Sequence, residues 1–70
     1  MFNYRLTANG RKIAHSRYLW FIGQGCSPSQ ARNAAEALTL EEENPSYHRT
    51  HYDQQAINNC WSHVTQGDKS

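Results

Sequence analysis

Apolar and polar positions divide the chain into three segments. The clearest pattern lies in residues 27–43, where small apolar residues recur three and four positions apart and so share one side of a helix. These residues are Ala31, Ala34, Ala35 and Leu38. Ser27 is suited to cap the first turn and Pro28 to begin it. Asn44 precedes Pro45 and is pushed out of the helical region, which ends the helix. The pattern predicts a helix over residues 27–43 that packs closely against another element.

The first 22 residues follow a different pattern, in which apolar and polar residues alternate. Phe2, Tyr4 and Leu6 are separated by polar residues, a period of two that is typical of a strand. An Asn-Gly pair at positions 9 and 10 follows, and this pair is the strongest short-range signal for a tight turn. The pattern predicts a β-hairpin over residues 1–22, or a short meander if residues 18–22 form a third strand.

A helix is the competing interpretation of the same segment. It would run from about Thr7 to Ile22 and place Ala14, Tyr18 and Phe21 or Ile22 on one side. Gly10 near its start weighs against it, because glycine disfavours a helix. The hairpin is therefore favoured, although the helix stays open.

The last segment has helical spacing again, over residues 46–64. Its apolar face carries Ile57, Cys60, Trp61 and Val64, and residues 65–70 form a polar tail. The fold class expected from these three segments is a single small α+β domain, with an N-terminal hairpin packed on two helices.

Charge is distributed unevenly along these 70 residues, although the net charge is only +1. Residues 1–35 contain no acid, and all six acids follow position 35. The basic residues of the first half are Arg5, Arg11, Lys12, Arg17 and Arg32. The densest acidic run is Glu41, Glu42 and Glu43. Such a separation predicts one face that meets an anion and another that does not.

Cysteine and histidine spacing raises the question of a zinc site. The candidate ligands are Cys26, His48, His51, Cys60 and His63. On one continuous helix the two ligand pairs would lie roughly 18 Å apart, so the favoured prediction is no metal and no cofactor. A Cys26–Cys60 disulfide is an alternative, but two free thiols are expected in a reducing compartment.

Two other classes are disfavoured by the sequence. No apolar run approaches the roughly 20 residues of a membrane span, and a cytoplasmic location is expected. No local motif arranges a nucleophile with a base, and a domain this short seldom encloses a substrate pocket, so no enzymatic activity is expected.

Two short resemblances concern nucleic acid. The turn at residues 23–27, followed by Ala34 and Ala35, resembles the last helix of a double-stranded RNA-binding domain, without the lysines that hold phosphate there. Residues 25–38 also resemble the turn and second helix of helix-turn-helix proteins. That resemblance requires the helical interpretation of residues 13–22, and it implies base contacts by Gln30, Arg32 and Asn33.

Two functions are therefore predicted. The favoured one is a non-enzymatic protein that docks through its charged faces on a larger protein partner, as an inhibitor or accessory factor; compact proteins of phages and plasmids offer an analogy. The alternative is a nucleic-acid-binding regulator that uses the basic N-terminal segment. Homodimerisation is compatible with either. The candidate binding residues are Arg5, Arg11, Lys12, Arg17, Arg32, Tyr18, Trp20, Glu41, Glu42 and Glu43.

Overall fold

The computed structural model describes the backbone of residues 5–67 and the side chains of residues 5–64. Within that range the chain forms three α-helices: α1 (Ala8–Gly23), α2 (Pro28–Glu43) and α3 (His51–Gly67). Helix α2 is central, since α1 and α3 both pack against it, while α1 and α3 touch each other only weakly.

The prediction of an α+β domain is wrong. Residues 5–67 contain no strand, and the segment predicted as a hairpin forms α1. Thr7 caps this helix by accepting a hydrogen bond on its hydroxyl from the backbone N of Gly10, at 2.9 Å. Asn9 and Gly10 therefore lie in the first turn of a helix rather than at the centre of a hairpin turn. Residues 1–4, the beginning of the predicted first strand, lie outside the described residues.

Helix α2 occupies the segment with the clearest pattern. Pro28 is its first residue and Ser27 its N-cap, although the Ser27 side chain makes no capping hydrogen bond. Its buried residues are Ala31, Ala34, Ala35, Ala37 and Thr39. These side chains are small, so α1 and α3 can approach the α2 backbone on two of its sides.

Helix α3 begins five residues later than predicted and extends three residues further. Thr50 and Asp53 form a capping box, with Asp53 N donating to Thr50 Oγ1 at 3.1 Å and Thr50 N donating to Asp53 Oδ2 at 3.0 Å. The hydroxyl of Tyr47 also donates to Asp53 Oδ2. These bonds hold residues 44–50 as a loop that leads into the helix. Its last turn includes residues 65–67, which were predicted to be a tail.

A disulfide joins Cys26, in the loop between α1 and α2, to Cys60 in α3. The expectation of two free thiols is therefore wrong. The fold brings the two Cα atoms within 5.3 Å of each other, inside the range of a bridge, and both residues are almost fully buried. Gly25 permits the preceding turn because its φ of 103° lies in the left-handed region.

Candidate interaction surface

Two concave surfaces flank α1, and they share no lining residue. The first, called the basic cleft, lies between α1 and α2 and has a volume of about 210 Å³. The basic cleft is lined by Leu6, Arg11, His15, Tyr18, Arg32 and Glu36, with Ala14 at its base. The second, called the tryptophan groove, is bordered by all three helices and has a volume of about 420 Å³. The tryptophan groove is lined by Arg17, Trp20, Phe21, Leu38, Glu42 and Trp61.

Arginine and tyrosine form the wall of the basic cleft. The guanidinium carbon of Arg32 lies 5.8 Å from the ring centroid of Tyr18, a cation–π contact. The ring of His15 stacks on the same tyrosine with centroids 6.0 Å apart. Over the described range, neither Arg11 nor Arg32 has a carboxylate within ion-pair distance, although Glu36 lines the same cleft. The cleft is therefore a place where positive charge is left unpaired.

Three aromatic rings line the tryptophan groove and contact one another. Phe21 is only 2% exposed, whereas Trp20 and Trp61 are 46% and 44% exposed. The rings meet edge to face, with centroids 5.3 Å apart for Trp20 and Phe21, 5.8 Å for Phe21 and Trp61, and 6.1 Å for the two tryptophans. Phe21 thus acts as a buried support for two indole rings that solvent reaches.

The two charged residues that line the tryptophan groove, Arg17 and Glu42, pair with each other. Arg17 Nη2 lies 2.6 Å from Glu42 Oε2, and Arg17 Nη1 donates to the hydroxyl of Thr39 at 3.0 Å. Thr39 is completely buried and donates in turn to the carbonyl of Ala35 at 2.8 Å. The positive charge of Arg17 is therefore neutralised by a glutamate of the same chain.

Each of the three consecutive glutamates also has a partner in the chain. Arg49 donates two hydrogen bonds to Glu41, at 2.6 and 3.0 Å, which raises the pKa of the arginine. Glu42 pairs with Arg17. Glu43 accepts hydrogen bonds from the hydroxyl and backbone N of Thr7, at 2.6 and 3.0 Å, which lower its pKa. The end of α2 is thereby connected to the loop before α3 through Glu41, to the middle of α1 through Glu42, and to the N-cap of α1 through Glu43.

The basic candidates do not lie together on a ribbon. Arg11, Arg32 and Tyr18 meet in the basic cleft, and Arg5 lines a second cavity beside it with Arg11 and Glu36. Arg17 and Trp20 lie in the tryptophan groove instead. Lys12 is exposed on α1 and lines neither surface.

The lining residues that were not among the predicted binding residues include Trp61, Leu38 and His15. The helical spacing of Trp61 and Leu38 assigns both to apolar faces. Spacing alone does not predict that part of each side chain stays accessible to solvent. His15 was placed on a strand, although its separation from Arg11 and Tyr18 by four and three positions is the helical signal for a shared face.

The candidate zinc ligands do not assemble. Cys26 and Cys60 are bonded to each other, and no group of three possible ligands occurs among the described residues. His48, His51 and His63 are exposed. None of the helices, over their described residues, combines the length and the apolar character that a membrane span needs.

The structure disagrees with the first of the two nucleic-acid resemblances and agrees in part with the second. A double-stranded RNA-binding domain contains a sheet, and residues 5–67 form none. The helix required by the helix-turn-helix resemblance is present as α1. However, α2 is packed between two helices, and the side chain of Asn33 donates to the backbone carbonyl of Tyr52 at 3.3 Å. One of the three implied base contacts is thus used within the chain.

Comparison with known proteins adds no assignment, because no family model, curated protein or solved structure matches this chain.

Proposed function

We propose that this is a non-enzymatic interaction protein, which docks on a larger protein partner as an inhibitor or accessory factor. The observation that carries the proposal is the pair of half-exposed tryptophans in the tryptophan groove. Tryptophan is enriched among residues that dominate binding energy, above all where it borders a pocket. Trp20 and Trp61 rest on buried Phe21, so they are held in place before any partner arrives.

The charge of α1 indicates the chemistry of the partner. The helix contains no acid in its first turn or in any later one, and the charge of Arg17 is neutralised by Glu42. Arg11 and Lys12 remain exposed and without an ion-pair partner in the described part of the chain. A surface that combines unpaired cations with exposed aromatic rings complements an acidic surface that presents a large apolar side chain.

The acidic residues are not part of the interface that we propose. Glu41, Glu42 and Glu43 each already pair with a group of the same chain, so they present less unpaired charge to a partner than Arg11 and Lys12 do. The proposed interface therefore consists of the tryptophan groove and the basic side of α1, and the glutamates serve to hold the helices together.

The disulfide between Cys26 and Cys60 supports a non-enzymatic role and a location in an oxidising compartment. The two cysteines are the strongest potential nucleophiles of the chain, and they are bonded to each other and buried. A buried structural disulfide is typical of proteins in oxidising compartments. We therefore favour such a compartment over the cytoplasmic location that the sequence suggests.

The test begins with a photo-crosslinking residue at Ser16, on the edge of the groove, and a control at the exposed Gln55 of α3. The partner captured from position 16 alone is purified, and its affinity is measured directly. Trp20→Ala should raise the dissociation constant by about tenfold or more, as expected for an aromatic residue that becomes covered at the centre of an interface. Tyr52→Ala is the matched control, because Tyr52 is 74% exposed and lies outside the groove. Equal effects of the two variants would refute the proposed interface.

Nucleic-acid binding is the second candidate, and the basic cleft is the observation that favours it. Arg5, Arg11 and Arg32 gather near a single carboxylate, Glu36. The test is an amide NMR titration with duplex DNA, duplex RNA and single strands, all without terminal phosphates. Shifts confined to residues 5–18 and 32–36 that fade as salt rises would favour this function. Absence of specific shifts at about 50 mM salt would exclude it.

A further inference from the structure

We infer that the basic cleft is a binding site for the phosphate group of a small phosphate monoester, separate from the tryptophan groove. The cleft and the tryptophan groove lie on different sides of α1 and have no lining residue in common. A small ligand in the cleft therefore leaves the groove open to a protein partner.

The pattern of arginine pairing singles out this cleft. Arg17 and Arg49 are each bonded to a glutamate at 2.6 Å. Arg11 and Arg32 have no such partner among residues 5–64, although Glu36 lies at the same cleft. The fold thus neutralises two arginines and leaves two others facing a common cavity from different helices.

The arrangement of the two guanidinium groups favours phosphate over carboxylate. A planar carboxylate is satisfied by one guanidinium fork, whereas a terminal phosphate has three oxygens in different directions. Arg11 on α1 and Arg32 on α2 line the same cavity from two helices, and the proposal is that both donate to one phosphate bound there. The contact of Arg32 with Tyr18 restrains its side chain, which reduces the entropy lost on binding.

The rest of the lining suits a small organic group. A volume of about 210 Å³ is smaller than a typical drug-sized pocket but accommodates a phosphate and a few carbon atoms. Leu6, Ala14 and Tyr18 provide an apolar wall beside the two arginines. Free phosphate and phosphate esters share the same anionic group, and this wall should make the ester the better ligand.

Glu36 provides an internal test of the proposal. Its carboxylate repels an anion in the cleft, and it sits one helical turn after Arg32. Glu36→Gln keeps the shape of the side chain and removes the repulsion. This variant should therefore bind phosphate more tightly than the wild type, which a role limited to folding would not cause.

The experiment uses the full chain with its disulfide intact and phenyl phosphate as the probe, with inorganic phosphate as a second arm. We expect saturable amide shifts at residues 11–18 and 32–36, with tighter binding of phenyl phosphate. Arg11→Gln and Arg32→Gln should each raise the dissociation constant about tenfold, the usual effect of losing a charged hydrogen bond. Lys12→Gln is the matched control, since it removes the same charge outside the cleft, and it should change the constant by less than about twofold.

Three results would overturn the inference. Equal effects of Lys12→Gln and the two arginine variants would mean that the anion responds only to net charge. Equal affinity for benzoate would mean that the cleft does not select phosphate. Equal affinity for an oligonucleotide without a terminal phosphate would assign the cleft to nucleic acid. Circular dichroism of each variant confirms the helices, and none of these results bears on Trp20→Ala, which tests the docking surface.

Discussion

A methyl group on Gly10 would lie only 2.6 Å from the carboxyl carbon of Glu43, closer than side-chain carbons approach their neighbours. Glu43 occupies this space because its carboxylate accepts both hydrogen bonds from Thr7. The last residue of α2 thereby caps the first turn of α1, which has no acidic residue of its own. Any larger residue at position 10 would therefore have to displace a side chain from the far end of the next helix.

Gly10→Ala should therefore fail to stabilise the wild-type protein. Alanine is favoured over glycine in a helix by about 0.5–1 kcal/mol, but here the methyl group displaces Glu43 from Thr7. In a Glu43→Ala background the space is open, and Gly10→Ala should raise the free energy of unfolding by about that amount. Urea unfolding of the four proteins measures the difference. Equal stabilisation in both backgrounds would show that Gly10 and Glu43 do not interact.

Stability should also fall at acidic pH through Glu43. The hydroxyl of Thr7, and after it the backbone N–H of Thr7, lower the pKa of Glu43, while burial opposes them. A carboxyl group with a lower pKa in the folded state stabilises the fold above its ordinary pKa. This contribution is lost as the pH falls through the folded value. The wild type should therefore lose more unfolding free energy than Glu43→Gln between about pH 7 and about pH 3. Parallel losses in the two proteins would contradict the assigned contact.

Tyr47 should show the opposite dependence, at alkaline pH. Burial, followed by its hydrogen bond to Asp53 and nearby negative charges, raises the pKa of Tyr47 to about 12. Its contribution to stability is complete below the unfolded value of about 10 and is lost as the pH rises towards the folded value.

Tyr47→Phe tests this contact in two ways. The difference between the tyrosinate absorbance titrations of the two proteins should have its midpoint near pH 12. At neutral pH the variant should lose about 1–2 kcal/mol of unfolding free energy, because Asp53 loses a hydrogen-bond donor. A midpoint at the ordinary tyrosine pKa of about 10 would mean that the hydroxyl does not face Asp53.

Removal of the disulfide should cost about 3–4 kcal/mol, the chain-entropy value for closing a loop of this length. For a domain of this size that is a large part of the total stability. Thermal unfolding by circular dichroism should show a much lower midpoint for the Cys26→Ala/Cys60→Ala variant, and for the wild type in reductant. Reductant should leave the double variant unchanged. If the double variant unfolded at the same temperature as the wild type, the disulfide would not contribute to the stability of the fold.

The sequence predicts α2 well because its signals act locally. Pro28 and Pro45 constrain the backbone on either side of them, and the observed helix lies between these residues. The start of α3 was misplaced, although the threonine and aspartate of its capping box stand three positions apart, as that motif requires.

Helix α1 corresponds to the competing helical interpretation, which ranked below the hairpin because the apolar residues do not form a single stripe. Ile13, Leu19 and Trp20 are exposed, whereas Ala14 and Phe21 are buried, so no helical face stands out. The Asn-Gly pair then pointed to a turn. In the structure Gly10 instead lies against the side chain of Glu43, a contact between residues far apart in the sequence that no local pattern contains.

The sequence indicates that basic and aromatic residues of α1 take part in binding, but it does not show which of them share a surface. With α1 known to be a helix, the separation of Arg11 and Tyr18 from Arg17 and Trp20 follows from helical spacing. The meeting of Trp20 with Trp61 does not, since it depends on where α3 lies against the other helices. That position is set by the central helix and the disulfide.

The bridge between Cys26 and Cys60 also makes the chain a branched molecule. All of α2, the loop after it and the first part of α3 form a closed covalent ring, from which α1 extends as a side arm. A protease that cuts once within residues 44–50 opens the ring but releases neither fragment. The nicked molecule keeps α3 attached to α1 and α2, and separates into two pieces only after reduction.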